Sequence, residues 1–467
     1  MLQFDEKQYR SETKTMYGRE IRFRAYYDVI YAEHPADPYY QRMNLFIPEE
    51  YYCGESIHGY TAGTAPIFMP NQVGGYMPGD TAVPGCDRWD TQKPNTILAA
   101  LAHGYVVCVP AIRGRSLKDE KGRNTGKAPA FLVDQKAAVR FLRLIKDSIP
   151  GDTEKIITNG TSAGGALSAL AGATGDHPDY LPYLEEIGAA RTSDRIFAAS
   201  CYCPITNLEH ADMAYEWQFH EIYDFHRMHM TMSEGNRPVF SPIDGQMSEE
   251  EQRVSREEAK LFPAYVNSLQ LADEDGNRLT LDENGEGSFL SYVKKQVIAS
   301  ALRALEKGED LSDKSYLIME QGKVTDIDFS AYVTDITRMK NAPAFDALDL
   351  ESPENDEFGD EKTDRMHFTE YSLANSSVPS LMADEKVIRM LNPMNYIGDE
   401  NAKKAGHFRI RHGSCDRDTS LAISAMLNLK LLEQGVKVDY HLPWGLPHSG
   451  DYDLEELFAW IDEICKE

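Results

Sequence analysis

The chain is short of the features that mark membranes, nucleic-acid binding and disulfide scaffolds. No run approaches the roughly 18 consecutive apolar residues needed to span a bilayer. Met1-Leu2-Gln3-Phe4-Asp5-Glu6-Lys7 lacks the basic-then-apolar layout of a signal peptide. Basic residues are scarce: 48 Lys and Arg stand against 75 Asp and Glu, a net charge of -27. Such a surface repels phosphate backbones and anionic lipid. It excludes nucleic acid and membrane as partners and leaves neutral or small molecules as substrates. Cysteine is sparse and unpatterned, the seven residues forming no CxxC pair. They are expected to be reduced thiols in a cytoplasmic protein, with Cys201 and Cys203 at the end of an apolar strand. Also missing are a G-x-x-x-x-G-K-S/T phosphate loop, a dinucleotide fingerprint and an H-E-x-x-H zinc motif. His220-Glu221 has Asp224 where the second histidine would stand. His220, His226 and His229 read as exposed histidines, and no metal or cofactor is expected.

Hydrophobic residues at 42% and charged residues at 26% are ordinary for a folded globular chain. Its 467 residues correspond to two or three units of about 100–200 residues, although α/β folds often run longer as one piece. No repeat of 20–50 residues and no low-complexity tract is present. Residues 65–70 and 105–110 read as buried strands, with a helix over 95–104 between them closed by Gly104. A helix over 129–148, a strand over 155–160 and a small-residue helix from Ala163 follow. After Cys203 the pattern turns to longer helices, near 255–271 and 288–307, and to acidic loops such as 346–364. Past Pro393 the alternation resumes: strand 408–411, helix 419–434, strand 436–442 and helix 453–465. Strand–helix alternation implies a mostly parallel sheet covered on both faces. The economical reading is an α/β core formed by residues 1–204 and 394–467, interrupted by a mainly helical insertion over 205–393. Insertions of this kind often cap an active site as lids.

Gly160-Thr161-Ser162-Ala163-Gly164 fits G-x-S-x-G, follows a strand and opens a helix. A strained strand-to-helix turn lifts a serine hydroxyl clear of the sheet, and the flanking glycines relieve its clashes. The motif alone also fits a plain Gly/Ser turn, so its setting carries the weight. Asp416 follows a late strand, where an orienting carboxylate belongs. Asp418 is its rival, although its place suits the N-cap of the helix near Thr419. Among thirteen histidines, His448 has the right order and loop setting, between a strand and the last helix. The order Ser162, Asp416, His448 is that of α/β-hydrolases. His448 would take the serine proton while Asp416 fixes its tautomer. The Ala163 N–H and one from the loop around Gly74-Gly75, favoured at Gly75, would hold the oxyanion.

Long blocks of the sequence resemble bacterial tannases, tannin acyl hydrolases that cleave galloyl esters. They are Met69-Pro70-Asn71-Gln72-Val73-Gly74-Gly75-Tyr76, Ile112-Arg113-Gly114-Arg115, 158–165, 207–217, 343–346, 352–355, 411–420 and 447–453. The resemblance implies an α/β-hydrolase fold with a lid. It also implies that Lys340, Glu354 and Asp418 hold the hydroxyls of the galloyl ring, with Ile205 and Pro353 on its faces. Without the resemblance, Lys340 and Glu354 would read as surface charges of an acidic lid. The fungal branch carries paired cysteines beside its serine and histidine. Here Ser162 is flanked by Thr161 and Ala163, and His448 by Pro447 and Ser449, so that bridge is impossible. Alternatives are a feruloyl or hydroxycinnamoyl esterase of the same fold, a serine peptidase, and a catalytically dead binding module.

Overall fold

Short apolar runs too brief for helices form the centre of the molecule. Pro66–Pro70, Val106–Pro110, Ala198–Tyr202 and His407–Arg411 are buried along their whole length, as strands covered on both faces must be. The computed structural model describes residues 2–87, 90–232 and 238–466. Its strands in chain order are β1 (Arg10–Met16), β2 (Arg19–Ile30), β3 (Arg42–Pro48), β4 (Pro66–Pro70), β5 (Val106–Pro110), β6 (Asp152–Thr161), β7 (Ala198–Tyr202), β8 (Asp224–Met232), β9 (Pro238–Gln246), β10 (Leu317–Glu320), β11 (Lys323–Ile327), β12 (His407–Arg411) and β13 (Lys437–His441). Nine of them form one sheet in the order β1-β2-β3-β5-β4-β6-β7-β12-β13. The pairs from β1 to β5 are antiparallel, and those from β5 to β13 are parallel.

Successive residues of β4 serve opposite faces. Ile67 and Met69 enter one apolar cluster and Phe68 the other, the period of two that a strand imposes. Helices Ala130–Leu144, Ala163–Ala173 and Leu421–Glu433 pack on the first face, and Thr96–His103 and Leu454–Cys465 on the second. This is the α/β-hydrolase architecture that the alternation of elements implied. The helix after β4 has the expected punctuation: the Asn95 side chain accepts from Leu98 N–H, and Gly104 ends it at φ 97°. No helix among the described residues is long and apolar enough to cross a membrane.

Among the described residues, the sheet takes its strands only from 10–202 and 407–441. The intervening segment is mainly helical but also holds two hairpins, β8–β9 and β10–β11. The second, which the sequence reading did not include, turns at Gln321 and Gly322, both with positive φ, the geometry of a tight hairpin turn. The apolar cluster on one face of the sheet continues into the inserted helices through Trp217, Phe262, Phe289 and Tyr332.

Candidate active site

Ser162 is squeezed between the end of β6 and the helix that starts at Ala163. Its φ of 62° and ψ of -124° lie where side-chain-bearing residues rarely go, and such strain gathers at functional sites. A Cβ on Gly160 would sit 2.2 Å from the Gly164 carbonyl oxygen and 2.4 Å from Asn71 Nδ2, so glycine there is a steric requirement. The turn is held by Ser162 N–H donating to the Tyr202 carbonyl at 2.9 Å and by the Ser162 carbonyl accepting from Ile205 N–H at 3.3 Å. Asn71 ties the loop after β4 to the turn, its amide donating to the carbonyls of Asn159 and Gly164 at 3.1 and 3.0 Å. In that loop Gly75 has φ 54° with open space where a Cβ would point. The Gly75 carbonyl accepts from Arg115 Nε at 2.9 Å, and the Tyr76 hydroxyl donates to the Ile205 carbonyl at 2.9 Å. Ala163, the first residue of its helix, has an N–H of the kind helix starts leave without an internal partner.

Asp416 and His448 meet. His448 Nδ1 donates to Asp416 Oδ2 at 2.8 Å, and Asp416 is wholly buried. Burial opposes ionisation of Asp416, but His448 and then His412, whose Nε2 lies 3.4 Å from Asp416 Oδ2, hold it down at about 2. His412 itself is pushed down by burial. For His448, burial favours the neutral ring, yet Asp416 and then Asp418 outweigh it and hold the imidazole well above its ordinary value. Its Nε2 is buried and has no hydrogen-bond partner among the described residues; catalytic hydrogen bonds often form only once substrate is bound. The histidine loop packs on the serine turn: a Cβ on Gly450 would lie 1.9 Å from Thr161 Oγ1. Cys203, at the end of β7, donates its thiol to the Ser449 carbonyl at 2.9 Å. The three segments converge at the carboxyl ends of β6, β12 and β13, where open α/β sheets bind ligands.

Lys340 and Asp418 also come together, with Nζ 2.7 Å from Oδ1. Burial works against the Lys340 charge, but Asp418 and then Glu354 raise its pKa. Burial lifts Glu354 above the usual carboxylate range against the pull of Lys340. Asp418 is lowered despite burial by Lys340 and then His448. Lys340 Nζ also stands 3.8 Å from the ring centroid of Phe345, a cation–π contact. Glu354 is 6% exposed and Ile205 5%. Pro353 is the exposed first residue of the short helix Pro353–Glu357 that carries Glu354. The N-cap role open to Asp418 belongs to Ser420, whose side chain accepts from Ala422 N–H. Asp418 instead donates its N–H to Asp416 Oδ1 at 2.8 Å.

A buried polar frame fixes this cluster. Arg338, fully buried, pairs with Glu216 at 2.6 Å and donates from Nε to the Lys340 carbonyl at 2.6 Å. The Tyr215 hydroxyl accepts from Met339 N–H and Lys340 N–H at 3.1 and 3.0 Å. Asn355, beside Glu354, donates to Asp346 Oδ1 at 2.6 Å. Arg115 pairs with Asp356, joining the glycine loop to the helix of Glu354. Behind the frame, burial and then repulsion by Asp212 push Glu258 up to about 9, while burial and then Asp346 push Asp212 up to about 7. The folded chain therefore keeps these protons at pH values where the unfolded chain has lost them. Their stabilisation is complete below the ordinary carboxylate range and is lost as pH rises through about 7 and about 9. Glu258→Gln is expected to raise Tm at alkaline pH, the gain shrinking to nothing near about pH 4. Calorimetric scans across pH check this, and a pH-independent difference would refute it.

Sequence reading missed Asn71, Cys203, His412, Arg115 and Arg338. Asn71 and Arg115 lie in blocks that look informative, but a hydrogen bond to a distant backbone leaves no local pattern. His220 donates from Nδ1 to the Trp217 carbonyl at 3.1 Å, and His226 from Nδ1 to Asp244 at 2.9 Å. The side chain of His229 lies outside the described residues. All seven cysteines are free thiols.

The BD-FAE family model, from the α/β-hydrolase superfamily, matches residues 84–254. The fold is that of this superfamily, and the solved tannases it matches make it a carboxylic ester hydrolase. A tannase from Lactobacillus plantarum superposes with a TM-score of 0.96 at 46% identity, over 99% of each chain. A Fusobacterium nucleatum tannase gives 0.95 at 48% identity, over 100% of this chain and 99% of that one. A tannin acyl hydrolase solved in complex with ethyl gallate gives 0.93 at 46%, over 99% and 98%. The chain belongs to the tannase family. No curated protein matches it.

Proposed function

We propose that the protein hydrolyses galloyl esters to gallic acid through an acyl-enzyme on Ser162. His448 accepts the Ser162 proton as the hydroxyl attacks the ester carbonyl, and Asp416 stabilises the imidazolium that forms. The N–H groups of Gly75 and Ala163 receive the oxyanion of the tetrahedral intermediate. His448 then protonates the departing alcohol, and water attacks the acyl-enzyme by the reverse route. Glu354 and Asp418 accept phenolic O–H bonds, Lys340 donates to a phenolic oxygen, and Ile205 and Pro353 flank the ring. On this reading residues 205–393 form the recognition cap over a core of 1–204 and 394–467, and seven unpaired thiols suit a reducing cytoplasm.

The observation that carries the reading is the position of Asp418: 2.7 Å from Lys340 and 3.8 Å from His448 Nε2. It brings a hydroxyl-binding set beside the base. A site built to pair with hydroxyls rejects analogues lacking them by roughly 10⁴-fold. The expected kcat/KM for methyl gallate exceeds that for methyl benzoate by this order. A preference for methyl ferulate over methyl gallate would overturn the reading in favour of a hydroxycinnamoyl esterase.

A further inference from the structure

Asp418 touches both recognition and chemistry. Oδ1 pairs with Lys340 at 2.7 Å, while Oδ2 lies 3.8 Å from the Nε2 of His448. That Nε2 is the atom that must take the serine proton, and it is buried without a hydrogen bond among the described residues. A carboxylate this close to a buried ring nitrogen favours the imidazolium, and an imidazolium has no lone pair to accept with.

We propose that Asp418 is a latch on the catalytic base: in the empty pocket its carboxylate holds His448 as the imidazolium, and a substrate hydroxyl donating to that carboxylate lets the ring release its Nε2 proton to solvent and become able to deprotonate Ser162. The inference rests on the galloyl-ester reading above and deepens it. One proton leaves per opening, and no bond other than N–H breaks.

The other groups facing His448 do not serve as the latch. Asp416 engages Nδ1 and is needed in every state of the cycle; His412 lies behind it, 3.4 Å from Asp416 Oδ2. Cys203 is pushed up by burial and donates to the Ser449 carbonyl; it also supports the imidazolium, but after Asp416 and Asp418, and it is not offered to the ring hydroxyls. Lys340 and, beyond it, Glu354 reach His448 only through Asp418. Asp418 is thus the carboxylate that both faces Nε2 and is offered to the ring hydroxyls. The raised imidazole value, to which Asp418 contributes after Asp416, agrees. Esters without ring hydroxyls leave the latch closed, so near neutral pH they are slow for a reason beyond weak binding.

The test compares pH profiles of kcat/KM for wild type and Asp418→Asn on 4-nitrophenyl acetate and methyl gallate. On the acetate, the acidic limb of Asp418→Asn is expected to move to lower pH, raising its rate relative to wild type several-fold below about pH 6.5, the ordinary histidine value. An unmoved limb overturns the latch. If gallate hydrolysis collapses while that limb stays put, the latch fails and the recognition reading survives. If gallate hydrolysis is untouched, both fail. A second measurement leaves Asp418 in place: methyl gallate binding to Ser162→Ala, followed calorimetrically in buffers of different protonation enthalpy. Net proton release is expected, and release of none overturns the proposal.

Discussion

Ser162→Ala is expected to lower methyl gallate hydrolysis by about 10⁶-fold, the loss found when a serine-triad nucleophile is removed. No other hydroxyl shares its place on the strained turn at the end of β6, with φ 62°. Alanine keeps the Cβ that this backbone already tolerates, so Tm and ring binding should stay near wild type. Rapid-mixing kinetics with a chromogenic gallate ester provide the check. Wild type releases a burst of alcohol stoichiometric with enzyme, and the variant none. A variant retaining a hundredth of the activity would move the nucleophile elsewhere.

The second large effect concerns specificity. Lys340→Met and Glu354→Gln are each expected to reduce kcat/KM for methyl gallate by about 10²-fold, since a hydrogen bond to a charged group contributes about 1.5–3 kcal/mol. Acetate esters, which have no ring hydroxyls to lose, should change little. The comparison belongs at alkaline pH, because removing Lys340 strips Asp418 of its 2.7 Å partner and leaves its charge to act on His448 alone. Steady-state kinetics on both substrates decide it. Equal losses on gallate and acetate would make the two residues structural rather than recognising.

The outcome shows which information is local. Ser162, Asp416 and His448 could be put forward from the sequence because each stands at a strand-to-helix junction in the order of the fold; the structure brings His448 and Asp416 together at 2.8 Å, and the Gly104 helix end followed from capping chemistry. Asp418 was harder. Spacing alone allowed it to cap the next helix, and only the path of the chain assigns that cap to Ser420. Lys340 and Glu354 were visible through family resemblance alone, because charges in an acidic segment look like solvated surface. Cys203, noted only as a strand end, and His412, inside the 411–420 block, could not be given roles: a thiol donating to a carbonyl far along the chain, and a second imidazole 3.4 Å from Asp416, exist only after folding. The β10–β11 hairpin was overlooked because its strands are only four and five residues long and mostly exposed.

The apolar cluster that crosses from the sheet into the inserted helices has an evolutionary consequence. Replacing the helical segment between β7 and β12 would tear shared packing around Trp217, Phe262 and Tyr332. On the galloyl-ester reading proposed above, acceptance of another aromatic acid is expected to come by single replacements on the short Pro353–Glu357 helix and its neighbours, not by exchange of the whole segment.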